Sequence, residues 1–321
     1  MNTTIKRILL AGLALLVVGA LIMAAAMFSM KFDFRRLGTR KTVTNTYAPT
    51  GDFQDILVDI DTEEICFLPA EDGKCRVVCV EEEGEQHIVT ISKGALSIQH
   101  VNTRKWHEQI GFGGDKTSVT VYLPKKGYDS LTLRTSTGDV TVPADFRFGS
   151  ILMTGSTADI DIRSSAEGSI SVQTSTGSIT LGGLRAASLD LTASTGSIRV
   201  SDSVIEGKVS ARASTGKVDF TDLNCTEAAV TTTTGDVDLI RVLLSDALRV
   251  KTDTGDVRFE RSDAPEIRAE TDTGDVTGTL LTPKIFEAHT NTGKVKLPRS
   301  DPGGRCTLES DTGDFEIEIV G

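Results

Sequence analysis

The feature that most constrains this chain is a short motif that returns every 19 or 20 residues. A Thr-Gly pair is followed by Asp, Ser or Lys and then by an apolar residue. The glycines are Gly138, Gly177, Gly196, Gly216, Gly235, Gly255, Gly274, Gly293 and Gly313. One further copy, at residues 156–160, carries Ala158 in place of the glycine. A fixed period of this length indicates that one structural unit is stacked on itself.

The residues around each glycine predict the unit to be two short β-strands joined by a turn. The positions seven and five residues before the glycine and two residues after it are apolar in every copy, as in Leu131, Leu133 and Val140. Alternating apolar positions are typical of strands with one buried face. The sequence therefore predicts an all-β, single-stranded parallel β-solenoid of about ten turns, in which each strand pairs with its equivalent ~4.8 Å away.

Glycine is expected at this position because a tight corner between strands requires a positive φ, which glycine adopts without steric cost. Ala158 and Glu63, which stand at the same place in two divergent copies, predict altered corners. The residue before the glycine is always Thr, and strand alternation predicts that its side chain points inward and that its hydroxyl bonds to neighbouring backbone.

An uncharged apolar run of 23 residues, 8–30, lies close to the N-terminus. As a helix it would reach ~34 Å, which is enough to cross a bilayer. We expect an uncleaved, single-pass transmembrane helix. The alternative is a cleaved signal peptide, since Ala24, Ala25 and Ala26 are small. The predicted organisation is a tail 1–7, a transmembrane helix 8–30, a juxtamembrane linker 31–48, an N-terminal β unit 49–130 that caps the stack, and the repeat domain 131–321.

A long irregular segment, residues 101–116, interrupts the N-terminal β unit and holds the single Trp of the chain. Such loops on rigid scaffolds often carry recognition. Trp106, His107 and Phe112 are therefore candidate binding residues. The alternative is that Trp106 and Phe112 plug the end of the apolar core.

Aspartates in the repeat corners are candidate calcium ligands. Asp253, Asp256, Asp272 and Asp275 fall in adjacent turns, and Ca²⁺ prefers clusters of oxygen atoms. The alternative is that Asp is simply a favoured turn residue. Lys217 and Lys294 interrupt the column, so no metal or other cofactor is firmly predicted.

Other features argue against several functional classes. The net charge of -11 disfavours nucleic acid as a partner. The four histidines match no catalytic or metal-binding spacing, and such regular repeats leave no loop to form a cleft, so we expect no enzyme. The five cysteines form no disulfide framework, although Cys66 could pair with Cys75 or Cys79. Acidic residues in the last repeat, from Glu309 to Glu318, are expected to blunt the open end of the stack.

Together the N-terminal apolar run, the strands at 53–67, the stretch 119–124 and the serial Thr-Gly repeats resemble the bacterial "putative adhesin" family, a family of unknown function of membrane-anchored β-solenoids. The resemblance implies a location at the cell membrane with the solenoid outside, and an adhesin-like binding platform or spacer for a surface glycan or protein. The alternatives are an envelope-stress or regulatory protein that binds a membrane protein or peptide, and a carbohydrate-active β-helix enzyme. The family supplies no catalytic residues.

Overall fold

One long N-terminal helix precedes a chain that is otherwise built of β-strands. The computed structural model describes residues 3–29, 42–102, 116–299 and 302–321. Helix α1 spans Thr3–Ser29, and its segment Gly12–Ser29 is long and apolar enough to cross a membrane. No part of that segment is buried against the rest of the protein. A signal sequence would have the same properties, so the helix itself leaves both alternatives open.

The N-terminal third of the β-region contains nine strands. They are β1 Thr42–Tyr47, β2 Asp55–Ile60, β3 Glu64–Pro69, β4 Arg76–Glu82, β5 Glu85–Ser92, β6 Ala95–Asn102, β7 Ser118–Leu123, β8 Gly127–Thr137 and β9 Val140–Val142.

The repeats contribute the remaining strands. They are β10 Arg147–Thr157, β11 Ile160–Ile162, β12 Ser165–Ala166, β13 Ser169–Thr176, β14 Ile179–Gly182, β15 Arg185–Ala186, β16 Ser188–Thr195, β17 Ile198–Ile205, β18 Lys208–Thr215, β19 Val218–Thr234, β20 Val237–Ile240, β21 Leu243–Thr254, β22 Val257–Ser262, β23 Glu266–Thr273, β24 Val276–Leu280, β25 Lys284–Thr292, β26 Val295–Lys296, β27 Gly304–Thr312 and β28 Phe315–Ile319.

Each turn consists of a long strand, a corner at the glycine and a short strand. In the turn of Gly177, the long strand is β13 and the short strand is β14. β13 pairs in parallel with β16 one turn later, and β14 pairs with β17, without any shift of register. We call the sheet of stacked long strands, from β6 and β2 through β8, β10 and β13 to β25, the long face. The predicted all-β solenoid with an N-terminal apolar helix is confirmed, with about nine turns.

The core runs along the axis of the stack. The apolar positions predicted from the repeat are buried in every turn except that of Gly293, as Leu189, Leu191 and Ile198 illustrate in one turn. A fourth inward row, four residues after the glycine, was not singled out from the sequence and includes Phe220 and Phe259, both fully buried. Stacking therefore removes from water the apolar face that no single turn could bury.

The N-terminal strands extend the solenoid across residue 130 before they cap it. β2 and β3 stack in parallel on β8 and β9, and β6 and β7 form a further layer. Antiparallel strands then close this end: β5 pairs with β6, β4 with β7, and β1 with β4. The solenoid's N-terminal end therefore carries no unpaired parallel strand among the described residues.

The order of the last two turns differs from their order in the sequence. β23 pairs with β27, and β27 pairs with β25, so the turn of Gly313 lies between those of Gly274 and Gly293. The expectation that the acidic stretch from Glu309 to Glu318 forms the open end is wrong. The outermost long strand is β25, and Val295, on an inward row, is 50% exposed beside it. The chain therefore forms the last turn of the stack with Gly293, and then returns to insert the turn of Gly313 between it and the turn of Gly274.

Candidate functional site

The repeated corners were the first candidate site, and their geometry shows a structural role. Gly255 has a φ of 150°, and a Cβ atom built on it would lie 2.2 Å from the carbonyl oxygen of Gly235 in the preceding turn. Gly177 and Gly196 make the same close approach to the turn before them. The glycine therefore provides both the positive φ expected from the sequence and the space that lets the backbones of adjacent corners stack.

Strand alternation predicts that the residues one and three before the glycine both point inward, but only the residue three before it does so. Every Thr that directly precedes a corner glycine is exposed, whereas the residue three before the glycine points inward. Thr252 and Thr271 are buried there, and the Thr271 hydroxyl donates to the carbonyl oxygen of Gly255, 3.1 Å away. The ladder of pairing omits the residue two before the glycine. The backbone bends at that point, which reverses the alternation for the last Thr.

The corner aspartates form a ladder along the stack. Asp256 Oδ1 accepts a hydrogen bond from the backbone N–H of Asp275, 2.9 Å away, and Asp236 Oδ1 accepts one from Asp256, 3.0 Å away. The same contact joins Asp139 to Asp159 and Asp275 to Asp314. Each carboxylate thus satisfies a backbone donor that the turn leaves unpaired.

The four candidate calcium ligands take part unequally in this ladder. Asp256 and Asp275 belong to it, whereas Asp253 and Asp272 lie two residues before their glycines, on the exposed side of the bend. In the described parts of the chain, the groups of side chains whose ligand atoms lie within 4.8 Å of one another do not include these aspartates. The ladder accounts for Asp256 and Asp275 without an ion.

The outer side of the long face is broad and polar, and ion pairs join neighbouring strands on it. Arg212 lies 3.0 Å from Asp190, and Arg268 lies 3.1 Å from Glu309, each pair bridging adjacent strands. Towards the N-terminal half, Leu152 is 47% exposed beside Thr154, while Arg134 of β8 and Asp59 of β2 are exposed charged residues on the same side of the sheet. Leu57 lies two strands away, separated from Leu152 by Thr132, and is 43% exposed. The long face thus offers a flat surface without a deep cleft.

A cluster of histidines and carboxylates lies inside the corner at the N-terminal end of the stack. Glu63 stands at the glycine position of the turn formed by β2 and β3, does not adopt a positive φ, and points inward, with its side chain 2% exposed. His100 lies near the end of β6, in the next layer, and His87 lies directly opposite it on β5. His87 is fully buried and His100 is 7% exposed. The altered corner expected at Glu63 therefore directs a carboxylate into the protein.

The ring nitrogens of the two histidines face different partners. His87 Nδ1 lies 2.7 Å from Glu81 Oε1, and His100 Nδ1 lies 3.2 Å from Asp61 Oδ2. The Nε2 atoms of His87 and His100 lie 3.6 and 3.9 Å from the same oxygen, Glu63 Oε1. Both Nε2 atoms are buried and have no hydrogen-bond partner. Glu85 Oε2 completes the arrangement, 3.6 Å from His100 Nε2.

Glu81 is held by several donors. Asn45 Nδ2 donates to its Oε2, 2.5 Å away, and the backbone N–H of His87 and the hydroxyl of Tyr47 donate to its Oε1. Burial alone would raise the pKa of the Glu81 carboxyl, but the hydrogen bonds from Asn45 and His87 outweigh it and lower the pKa. Glu81 is therefore an ionised carboxylate that orients the ring of His87.

Sequence reasoning missed this cluster because it compared the spacing of the histidines only with known motifs. The sequence signal that could have revealed the cluster was the hairpin turn between β5 and β6. Lys93 and Gly94 both have positive φ, as a two-residue hairpin turn requires, and a turn at these residues places His87 opposite His100. The candidate binding residues Trp106, His107 and Phe112 lie outside the described residues.

The five cysteines are free thiols. Cys66 and Cys75 are half-buried, while Cys79, Cys225 and Cys306 are buried. Burial raises the pKa of Cys225 to about 12, and burial is also the main reason that the pKa of Cys79 is raised to about 12, with smaller effects from Glu81 and Glu63. These thiols pack as small apolar side chains.

The repeats and the stack agree with comparisons to known proteins. A family model described as Toastrack DUF4097 matches residues 53–318. The chain belongs to the Toastrack family. A "putative adhesin" from Parabacteroides merdae has a similar fold, with a TM-score of 0.53 and 13% identity over 76% of this chain and 98% of that one.

Two structures from Parabacteroides distasonis are similar at a TM-score of 0.49. One is a "putative adhesin", 13% identical over 87% of this chain and 98% of its own, and the other is a "putative lipid binding protein", 12% identical over 88% and 98%. No curated protein matches the chain. The family resemblance expected from the sequence is confirmed. The Toastrack match begins at residue 53, just before β2, and does not include the antiparallel strand β1.

Proposed function

We propose that this Toastrack protein is a non-enzymatic, membrane-anchored surface protein whose solenoid acts as a rigid spacer and binding platform. The observation that carries the proposal is the long face, a continuous sheet that stacks in register from β6 to β25. Such a sheet changes shape little, and its outer side chains form a surface large enough for a macromolecular or glycan ligand.

The N-terminal helix supports the anchoring part of this proposal. None of its apolar segment Gly12–Ser29 is buried among the described residues, which suits a helix surrounded by lipid. The "putative adhesin" name of the similar structures supports a surface location. We place residues 31–321 on the outer side of the membrane.

Protease treatment of intact cells tests the location. We expect the β-region to be digested or shortened in intact cells, while a cytoplasmic marker protein stays whole until the cells are lysed. The size of the cell-associated fragment also tests the anchor, because an uncleaved helix keeps residues 1–29 in the membrane. Protection of the β-region until lysis would contradict the surface assignment.

The binding role requires a separate measurement. The part of the long face around Leu152 is the region that we expect to contact a ligand, because an apolar side chain is exposed there between two uncharged neighbours, Thr132 and Ser171. A glycan array probed with the full-length chain in detergent, with Leu152→Arg as the variant, measures this. Thr141→Arg, an exposed change on short strand β9, is the matched control. Loss of signal only in Leu152→Arg supports the assignment, and equal loss in both variants contradicts it.

A further inference from the structure

We propose that the corner at the N-terminal end of the stack holds a divalent transition-metal ion of the Zn²⁺ type, bound by His87 Nε2, His100 Nε2, Glu63 and Glu85. This proposal does not depend on the surface function. The histidine nitrogens and Glu63 Oε1 face one another as hydrogen-bond acceptors, which is unfavourable without a positive charge between them. In the tautomer whose Nδ1–H donates to a carboxylate, each ring presents a lone pair at Nε2. Both Nε2 atoms face the carboxylate oxygen Glu63 Oε1, and neither has a hydrogen-bond partner among the described residues.

The distances suit an ion between these atoms better than direct hydrogen bonds. Separations of 3.6 to 3.9 Å are longer than the ~2.7–3.2 Å of a hydrogen bond to nitrogen. Bonds of ~2.0–2.1 Å in a tetrahedral zinc site place the donor atoms about 3.3 Å apart. A contraction of a few tenths of an ångström would therefore bring Glu63 Oε1 to binding distance from both histidines, and Glu85 Oε2 to binding distance from His100. The relevant atoms of Glu63, Glu85 and His100 already lie within 4.8 Å of one another, and His87, which lies outside that group, is the ligand that must move most.

The partners of the ligands have the arrangement that metal sites use. A histidine that binds through Nε2 usually donates its Nδ1–H to a carboxylate or carbonyl, which fixes the ring and increases its basicity. His87 donates to Glu81 and His100 to Asp61. Glu63 is oriented too, since its Oε2 accepts the backbone N–H of Thr62, 2.9 Å away, which leaves Oε1 facing the histidines.

The chemistry of the donors selects the metal class. Two imidazole nitrogens with two carboxylates suit Zn²⁺ and its neighbours in the first transition row, whereas Ca²⁺ and Mg²⁺ prefer oxygen alone. A positive ion would also offset the negative charge of the buried carboxylates. Four protein ligands close the coordination sphere, so we assign the ion a structural role that ties the corner of β3 to the hairpin β5–β6.

A second grouping, Cys79, Glu81 and His87, competes for the same ion. Two observations disfavour it. His87 Nδ1 is committed to Glu81, and Glu81 already accepts hydrogen bonds from Asn45 and Tyr47. The two groupings predict different spectra, which makes them separable.

Metal titration of the untagged, full-length chain in detergent tests the proposal. After removal of metal with EDTA, we expect one equivalent of Zn²⁺ or Co²⁺ to bind. Bound Co²⁺ should give the visible absorption of a tetrahedral site without a thiolate charge-transfer band. His100→Gln should weaken Zn²⁺ binding by at least 10- to 100-fold, while His289→Gln, an exposed histidine of β25, leaves it unchanged.

Each possible outcome either supports or contradicts the metal site. No stoichiometric uptake by the wild-type chain, or unchanged affinity in His100→Gln, overturns the proposal. A thiolate band that Cys79→Ser abolishes overturns the assigned ligand set. If His100→Gln fails to fold by circular dichroism, Glu85→Gln replaces it, because the Glu85 side chain is 12% exposed and less tightly packed. Unchanged affinity in Glu85→Gln then counts against the site in the same way.

Discussion

At the scale of the residue, the corner glycines meet two requirements at once, a positive φ and space for the backbone of the neighbouring turn. Mutations can separate the two. In Gly255→Ala the new methyl group would lie 2.2 Å from a backbone oxygen at a φ of 150°, so the stack must open locally. We expect a loss of at least ~3 kcal/mol in the free energy of unfolding. The matched control is Gly73→Ala, at a φ of 67° with no atom within 4 Å. It should cost only about 1–2 kcal/mol. Equal losses in chemical denaturation of the two variants would contradict the role assigned to stacking.

The corner at Ala158 shows how the chain compensates for a missing glycine. Ala158 does not adopt a positive φ and is buried, and Gly155 stands three residues before it, where most corners have Thr or Ala. A Cβ atom on Gly155 would lie 3.1 Å from the Ala158 Cβ. The two positions therefore share one space inside the corner.

This sharing predicts strong coupling between the two positions. Gly155→Thr alone should destabilise the protein by about 1–3 kcal/mol through overpacking. Ala158→Gly alone should cost about 1 kcal/mol. The double variant recreates the Thr-x-x-Gly corner found at Thr252, so we expect it to be more stable than the sum predicts, by about 0.5–3 kcal/mol. A double-mutant cycle measured by thermal or urea unfolding checks this, and additive effects would show that the positions do not touch.

The buried thiols predict the pH dependence of labelling. Burial raises the pKa of Cys225 to about 12, and burial also dominates the rise of the Cys306 pKa to about 12. Because the thiolate is the reactive form, only roughly one such thiol in ten thousand is ionised at pH 8, and labelling should quicken as the pH rises. Mass spectrometry after brief alkylation should find both unlabelled in the folded chain and labelled in guanidinium. Prompt labelling of either at pH 8 in the folded chain would contradict their burial.

At the scale of the element, the repeat predicted the strands, their inward rows and the corner glycines, because each depends only on local sequence and on identical neighbours. Two features could not be predicted in this way. The Thr directly before the glycine was wrongly predicted to point inward, because a backbone bend before the glycine interrupts the alternation. The buried cluster was missed because His87, His100 and Glu63 meet only through the pairing of a hairpin with a corner.

The order of the C-terminal turns also escaped the sequence, for a physical reason. Every turn carries the same apolar rows, so the turn of Gly313 can stack on that of Gly274 as well as the turn of Gly293 can. Periodicity specifies how a turn stacks and leaves open which turn is its neighbour. Lys284, 2% exposed and paired with Asp263 at 2.5 Å, fixes the position of β25 instead.

Cross-linking tests this order directly. Thr307 of β27 lies beside Arg268 of β23 on one side and Glu287 of β25 on the other. Adjacent strands are ~4.8 Å apart, within the range of a disulfide, whereas the next strand is ~9.6 Å away and outside it. We expect Arg268→Cys with Thr307→Cys to form a disulfide under mild oxidation. Arg268→Cys with Glu287→Cys should not. The reverse result would restore the order of the sequence.

At the scale of the whole molecule, the stack is a one-dimensional array whose two ends differ. The N-terminal end is closed by antiparallel strands β5, β4 and β1, whereas β25 at the other end is paired on one side only among the described strands. In such arrays each turn is stabilised chiefly by its neighbours, so a terminal turn with one neighbour opens at lower free energy than a central one. The protein should therefore open from its C-terminal end.

Hydrogen exchange measures this gradient. Amides of β25 and β26 should exchange first, and those of β16 and β18, which have a turn on either side, should exchange last. Lys284→Ala removes the partner of Asp263 and leaves a charge near the core, so it should accelerate exchange in β25 further while leaving β16 unchanged. The exposed pair of Arg212 and Asp190 provides the control, because Arg212→Ala should alter exchange little. Uniform protection along the stack, or loss of protection in β16 together with β25, would show that the solenoid opens as one cooperative unit rather than from its exposed end.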